Sequence, residues 1–434
     1  MKKIKVGVLG AYRGTSMINY CKVADNAEVV AICDNWSEAL ERQKWACEGL
    51  NITFYDNFDD FIKHDMDAVV LANFATEHAP FAIRCMKEGK HVFSEVLPCQ
   101  TMKEAVELVE AVEETGMVYA YGENYCYMPA PLEMKRLYQQ DKIGELEYAE
   151  CEYLHNCDPI WPSIAYGDPN HWRNNMYSTF YCTHSLGPIL HICGLRPVSV
   201  VGFEGGGDAN SLRTGRRSKN FGIEMVTLEN GAIVKSIHGA TYKDGNWYRV
   251  EGTKGRMESA RADAEAGDIH RIYVNTDEYP SGYDTEKLDT YLVDENADPI
   301  IRKFGHGGSD FYSMYNFINK LQGNEEADII DVYEALDMFL PGLFAFRSIL
   351  NGGVSVNIPN LRDKAERENW RNDIACTDPK VAGEQVLPCR KGGNLSIGID
   401  VYEEQKRLFL EDLKSDSGYS TMAFTQSSVK KENK

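Results

Sequence analysis

"KIKVGVLGAYRGTSM", residues 3–17, is the stretch whose reading decides the fold. "KIKVGVLG" reads as a first strand. Behind it, Met17 and Tyr20 lie on one face of a helix. Gly10 and Gly14 frame the turn between them. A glycine turn at that place lets backbone approach a pyrophosphate, which then rests at a helix N-terminus. The usual G-x-G-x-x-G is not intact, because "AYRG" shortens the middle of the motif. A tight strand–helix turn with no ligand explains the motif equally well. Basic residues before an apolar run also suggest a signal peptide. The run is short, is broken by Lys5 and Gly7 and lacks a cleavage site, so a strand is the better reading.

Outward from this turn, short apolar runs alternate with helical patterns for about the first 120 residues. The strands are "AEVVAICD", "ITFYD", "DAVVLAN", "HVFSEV" and "MVYAYGEN". Helices run through "NWSEALERQKWACEG", "NFDDFIKH", "EHAPFAIRCMKEG" and "TMKEAVELVEAVEETG". Such alternation implies a parallel sheet covered on both faces, an α/β Rossmann domain over residues 1–125. From about residue 130 the pattern changes. A helix in "MPAPLEMKRLYQQDKIG" is followed by alternating strands joined by the turns "ENGA" and "GTKG". This predicts a second, α+β domain over 126–375, with a large, mostly antiparallel open sheet. Late helices follow in "SDFYSMYNFINKL" and "DVYEALDMFLPGLFAFRSIL". Residues 263–305 are acidic and read as an irregular excursion. Residues 376–434 read as a partly irregular C-terminal extension with a frayed tail.

Composition narrows the function classes. At 434 residues two domains are expected. A net charge of −20 argues against nucleic acid, which needs a basic face. No run of 18 apolar residues occurs, so no membrane span is expected. The 12 cysteines contain no CxxC pair and read as reduced core thiols of a cytoplasmic protein. No H-x-E-x-H spacing occurs either, and no metal site is assigned.

Polar residues collect at one edge of the first sheet. Asp34 ends the second strand, 20 residues after Gly14. An acid there accepts hydrogen bonds from adenosine ribose hydroxyls and repels a 2′-phosphate, which favours NAD over NADP. The alternative is that Asp34 caps the following helix. Asn73, Glu95 and "GEN" (Gly122–Asn124) end later strands at the same edge, where ligands of open α/β sheets sit. The candidate cofactor residues are Gly10, Tyr12, Arg13, Gly14, Asp34 and Asn73, then His78, Glu95, Val96, Asn124 and Trp172. A second constellation is "HWRNNMYSTFYCTHSLGPILHICG", residues 171–194. His184 stands at a helix entrance beside Tyr181 and Arg173 and reads as functional. Thr183 is the candidate N-cap, and His191, on the same helical face, reads as a core histidine. Tyr153 and His155 share one face of an alternating strand, either core or cleft.

These features together resemble the Gfo/Idh/MocA oxidoreductases. Most of that family carries Glu-Lys-Pro at the end of the fourth Rossmann strand, where the lysine assists hydride transfer at a sugar carbinol. This chain reads Glu95-Val96-Leu97-Pro98, with no lysine. It is more similar to the branch of NAD-dependent α-N-acetylgalactosaminidases, which have Glu-Val-Pro there. "ENYCY", "CEYLHNCD", "HWR", "YCTHSLGP", "EGTKG", "GHGGSDF" and "IDVYEAL" also resemble that branch, over roughly residues 3 to 360. Cys182 and Ser185 depart from its Tyr-Pro-Thr-His-Gly-Leu-Gly-Pro. A further substrate tyrosine falls on Tyr283 or Tyr291. Because selectivity lives in the loops that differ, the sugar, its anomeric form and the aglycone stay open.

The resemblance implies NAD as cofactor, a small glycoside as substrate and a homo-oligomer, dimer or tetramer. It also implies a cycle: oxidation of sugar C3, elimination across C1–C2, hydration, and reduction. Such a cycle does not need the paired carboxylates of ordinary glycosidases. On this reading His184 and Tyr153 are catalytic, at O3 and C2 respectively, and Arg173, Tyr181 and Thr183 bind substrate. The alternatives are a sugar 3-dehydrogenase with net NAD reduction, and a non-catalytic sugar or nucleotide sensor.

Overall fold

The opening strand is β1 (Ile4–Leu9), near the middle of a six-stranded parallel sheet. Its neighbours are β2 (Ala27–Cys33), β3 (Thr53–Tyr55), β4 (Ala68–Leu71), β5 (His91–Ser94) and β6 (Tyr119–Tyr121). The order β3-β2-β1-β4-β5-β6 reverses direction between β1 and β4 and opens a crevice at their carboxyl ends. The fold is that of a computed structural model, which describes residues 2–241, 243–261, 271–277, 284–287, 301 and 304–414.

The glycines of the first turn are required by packing. Gly10 has φ +99°, and a Cβ on it would lie 2.3 Å from the Ala72 carbonyl oxygen at the end of β4. A Cβ on Gly14 would lie 2.5 Å from the Gly10 carbonyl oxygen. Local signals set the other elements too. The helix Met102–Thr115 starts with a reciprocal capping box, Thr101 with Glu104, and stops at Gly116 in the left-handed conformation.

One helix on the first sheet arrives from far along the chain. Met314, Phe317 and Ile318 of the helix Ser309–Leu321 pack with Val6, Val8 and Val70. Phe317 meets Phe93 at 5.6 Å between ring centroids. The Ile330 carbonyl then accepts from Tyr121 N–H of β6, at 2.8 Å. The boundary expected at residue 125 is therefore not a spatial one, because this later helix shares with the first helix, at Met17 and Ile18, the covering of one face of the first sheet.

The second sheet has nine strands among the described residues. In chain order they are β7 (Leu146–His155), β8 (Pro197–Gly205), β9 (Phe221–Leu228), β10 (Ile233–Ala240), β11 (Gly245–Gly252), β12 (Gly255–Ser259), β13 (Arg271–Thr276), β14 (Asp284–Lys287) and β15 (Val356–Asn357). All pair antiparallel except β7 with β10. β13 and β14 correct the expectation of an irregular excursion over 263–305. Ile272 and Val274 alternate into the core and extend the sheet, a two-residue period too short to stand out among the acids. Tyr283 and Tyr291 lie outside the described residues.

The helices Val332–Leu350 and Thr183–Cys193 cover the inner face of this sheet. Gly202 of β8 meets the first of these backbone to backbone: a Cβ there would lie 2.2 Å from the Ala345 carbonyl oxygen. The chain then returns to the first domain. Arg367, 1% exposed, pairs with Glu113 at 2.5 Å, and Arg371 pairs with Glu110 at 2.8 Å. The extension is more ordered than its composition suggested, because Ile399–Lys414 is a helix. Tyr402 donates to the Gly215 carbonyl at 2.9 Å and Gln405 to the Arg213 carbonyl at 2.9 Å. The tail expected to fray, 420–434, lies outside the described residues. All twelve cysteines are free, and no described helix is long and apolar enough to cross a membrane.

The contact at Gly202 yields a stability prediction. Gly202→Val forces helix and sheet apart and is expected to cost about 1–3 kcal/mol. Chemical denaturation of both proteins measures the difference, and equal midpoints would contradict the close-approach account.

Candidate active site

The carboxyl ends of the first sheet and the inner face of the second enclose one cavity of about 880 Å³. Its cofactor-side wall carries Gly10, Tyr12, Arg13, Asp34, Asn73, His78, Glu95, Val96 and Asn124. Its other wall carries Tyr153, Trp172, Arg173, Tyr181 and His184. Two expected residues are not brought there. Gly14 packs beneath the turn against Val8. Thr183 is fully buried at the helix start, where no side-chain cap forms and Cys182 precedes the first turn.

At the Asp34 end the carboxylate serves the turn itself. Asp34 accepts from Ala11 N–H at 2.7 Å and from Trp36 N–H at 2.9 Å. It ties the glycine turn to the entry of the next helix, and burial pushes its pKa up. His78 is likewise internal: its Nδ1 lies 2.9 Å from the Leu97 carbonyl oxygen and its Nε2 lies 3.3 Å from that of Asn73. Burial lowers its pKa to about 4, so at neutral pH one ring N–H donates to one of these carbonyls, the nearer being that of Leu97.

A charged knot lies under the middle of the cavity. Arg13 pairs with Glu95 at 2.8 Å and with Asp310 at 3.2 Å. Asn124 Nδ2 donates to Asp310 at 2.9 Å, and His306 sits 3.2 Å from the same carboxylate. Burial pushes Glu95 up to about 7 although Arg13 opposes the shift. Burial acts the same way on Asp310, yet Arg13 and His306 hold it well below the usual carboxylate range. The sequence reading named Arg13, Glu95 and Asn124 but not the partners that "GHGGSDF" contributes.

On the second-domain side, His184 Nδ1 lies 2.7 Å from Glu123 Oε1. Gly187 lets this approach happen: a Cβ there would stand 3.2 Å from Glu123 Cγ. Tyr248 donates to the His184 carbonyl at 2.8 Å and fixes the helix start. The His184 ring packs on Tyr125 at 4.6 Å, Tyr153 at 4.7 Å and Tyr181 at 5.5 Å between centroids. Arg173 donates to the Tyr181 hydroxyl at 3.1 Å and lies over the Trp172 ring at 4.4 Å. Tyr153 and His155 stack side by side, so the strand face left open by the sequence faces the cleft. His191 is buried in a separate ionic cluster, with Glu334 at 2.6 Å and Lys135 at 2.8 Å.

Aromatic residues that the sequence reading missed close the Asp34 end. Phe409, from the C-terminal helix, lies 6.2 Å from Trp36 and 5.1 Å from Tyr166, and Trp36 and Tyr166 lie 5.7 Å apart. No local signal tied Phe409, hundreds of residues away, to that turn.

The cavity fits a dinucleotide. Its two-glycine turn leaves no room for side chains. Asn73 Oδ1, Asn124 Oδ1, His171 Nε2 and Trp172 Nε1 are buried along its wall with no hydrogen-bond partner among the described residues. Buried polar atoms of that kind call for a polar ligand or water.

Comparison with known proteins agrees. Residues 4–123 match the oxidoreductase family with an NAD-binding Rossmann fold, Gfo/Idh/MocA, and residues 229–370 match the C-terminal domain of glycosyl hydrolase 109. An oxidoreductase from Agrobacterium radiobacter, solved with NAD+, L-tartaric acid and magnesium, superposes with a TM-score of 0.65 at 14% identity, over 82% of this chain and 99% of that one. A dehydrogenase from Bordetella pertussis, solved with NADH and UDP-GlcNAcA, gives 0.63 at 20% identity, over 82% and 99%. By the match over residues 4–123 the first domain is a Gfo/Idh/MocA NAD-binding Rossmann domain, and NAD is the cofactor. Its curated relatives carry the second domain as well. A glycosyl hydrolase family 109 protein of Solibacter usitatus is 27% identical over 82% of this chain and 88% of its own length. An alpha-N-acetylgalactosaminidase of Shewanella oneidensis is 23% identical over 83% and 85%. The protein is thus an enzyme, an NAD-dependent glycosidase or sugar oxidoreductase.

Two substitutions test the cofactor wall. Gly10→Ala places a side chain at positive φ, a strain of about 1–2 kcal/mol before any clash, and is expected to weaken NAD binding at least about tenfold. Phe409→Ala is expected to speed NAD loss while leaving the melting temperature close to wild type. NAD content after gel filtration reads both.

Proposed function

We propose that the protein cleaves a glycoside by transient oxidation of the sugar, with no net redox change. The observation that carries this reading is the Glu123–His184 pair at 2.7 Å, beside Tyr153, in a cleft whose β5 end offers Val96 and no lysine. The family 109 match over residues 229–370 supports the same reading. Bound NAD supplies reversible two-electron oxidation at sugar C3.

The remaining work is proton transfer. With Nδ1 turned to Glu123, His184 keeps Nε2 for the cleft, without a partner among the described residues. It accepts the O3 proton as C3 is oxidised and returns it at the end. Glu123 stabilises the imidazolium in between. Once C3 is a ketone, the C2 proton is acidic. Tyr153 removes it as the C1 substituent leaves, exchanges it with solvent, and protonates C2 as water adds at C1. Arg173 and Tyr181, joined at 3.1 Å, orient the sugar. Paired carboxylates are not needed at any step. The name of the Shewanella relative suggests a 2-acetamido sugar as one member of the substrate class.

Burial pushes the Tyr153 phenol well above its ordinary value, so it rests protonated at neutral pH. Its base form grows as pH rises towards that raised pKa, and the elimination step quickens with it. Turnover is expected to rise up to about tenfold per pH unit between about pH 7 and 9, and Tyr153→Phe to flatten the slope. His184→Ala is expected to lower kcat/KM by about 10²–10⁴ with NAD content unchanged. Wild-type turnover in His184→Ala would remove the histidine from the mechanism.

A further inference from the structure

Beyond the sugar-facing residues, the cavity carries a group that the reaction does not use. Arg216 is 7% exposed and lines the same cavity as Arg173. It has no carboxylate within ion-pair distance among the described residues. Its Nη2 makes only long contacts, 3.3 Å to the Lys219 carbonyl oxygen and 3.4 Å to Ser218 Oγ. Its Nε is buried and has no partner among the described residues. A buried guanidinium in this state has lost its hydration without gaining a counter-ion, which is costly unless a ligand supplies one.

Trp161 beside it is a donor too. The Trp161 ring lies 5.6 Å from the Arg216 guanidinium; Trp161 lines the cavity, and its Nε1 is buried with no partner among the described residues. His238 also lines the cavity. Its Nδ1 leans on Glu224 at 3.5 Å, while its Nε2 is buried and unpaired among the described residues. The acid that acts on Arg216, Asp158, is already held by Arg213 at 2.6 Å. Glu224 faces His238 at 3.5 Å and makes no hydrogen bond among the described residues. Asp244, which acts on His155, accepts from Asn156 N–H at 2.6 Å. Cys157, also on the cavity wall, lies within reach of the charges of both Arg216 and Arg173. A protein of net charge −20 has thus kept an unpaired cationic pole inside its cleft. Donors with no matching acceptors suit a ligand that only accepts, an oxyanion.

We propose that Arg216, with Trp161, forms an oxyanion subsite, and that the glycoside taken by this enzyme carries a carboxylate or a sulfate ester. The subsite rests on the glycosidase reading for its place in the substrate, but not for the binding itself. The anion fixes the substrate by a guanidinium that is never neutral.

Calorimetric titration of the NAD-loaded protein tests this without turnover. The probes are methyl glycosides in sets of three: a neutral hexoside, its hexuronide and its sulfate ester. Wild type is expected to bind one anionic member at least about tenfold tighter than the neutral one. That preference disappears in Arg216→Gln and partly returns in Arg216→Lys, while affinity for the neutral glycoside persists as evidence of folding. Which anionic member wins separates carboxylate from sulfate. Equal binding of the three, binding of none, or a preference that survives Arg216→Gln would overturn the subsite. If the anionic glycoside binds tightly and no glycoside is cleaved, the catalytic reading fails and the subsite stands.

Discussion

The hydrogen bond between Glu123 and His184 is the constraint on which the site depends. Glu123 follows β6, the last strand of the first sheet, and His184 opens a helix that lies on the second. The pair therefore closes only when both domains dock in one arrangement. Gly187 is small so that Glu123 can pass, and Tyr248 holds the helix start from the facing strand. Taking either partner away would leave the other buried without its hydrogen bond, a loss greater than that of an exposed pair.

The same logic runs through the cofactor wall. Arg13 leaves the glycine turn and finds Asp310, on a helix that returns to the first sheet nearly three hundred residues later. Asn124 donates to that same carboxylate. Phe409 brings the C-terminal helix across to Trp36. Each contact joins a strand end of the first sheet to a late segment of chain, so the cleft is built from the beginning, middle and end of the sequence. A cofactor enclosed on these sides is suited to a cycle in which it is never exchanged.

Much of this was legible in the sequence because the signals are local. Alternating strands and helices gave the parallel sheet, and the period-two strands gave the second one. Gly10, Asp34, Asn73 and Glu95 could be placed at one edge because strand ends of a parallel sheet must share it. What escaped depends on contacts distant in sequence. Phe409 carries no pattern of its own at the site, and "GHGGSDF" matched as a motif without showing that His306 and Asp310 meet Asn124 and Arg13. Thr183 looked like a cap because a threonine before an apolar helix usually is one, but here it is buried without capping. The strands within 263–305 were masked by acidic neighbours, although Ile272 and Val274 alternate.

The central claim is that this cleft oxidises a sugar only to cleave it, and one measurement bears on it most directly. The protein as purified, with its bound NAD and none added, is incubated in D₂O with a panel of aryl glycosides. The account predicts release of the phenol, one solvent deuterium at C2 of the freed sugar and no lasting NADH absorbance. Accumulation of NADH with a 3-keto product, or phenol release with no deuterium at C2, would contradict it.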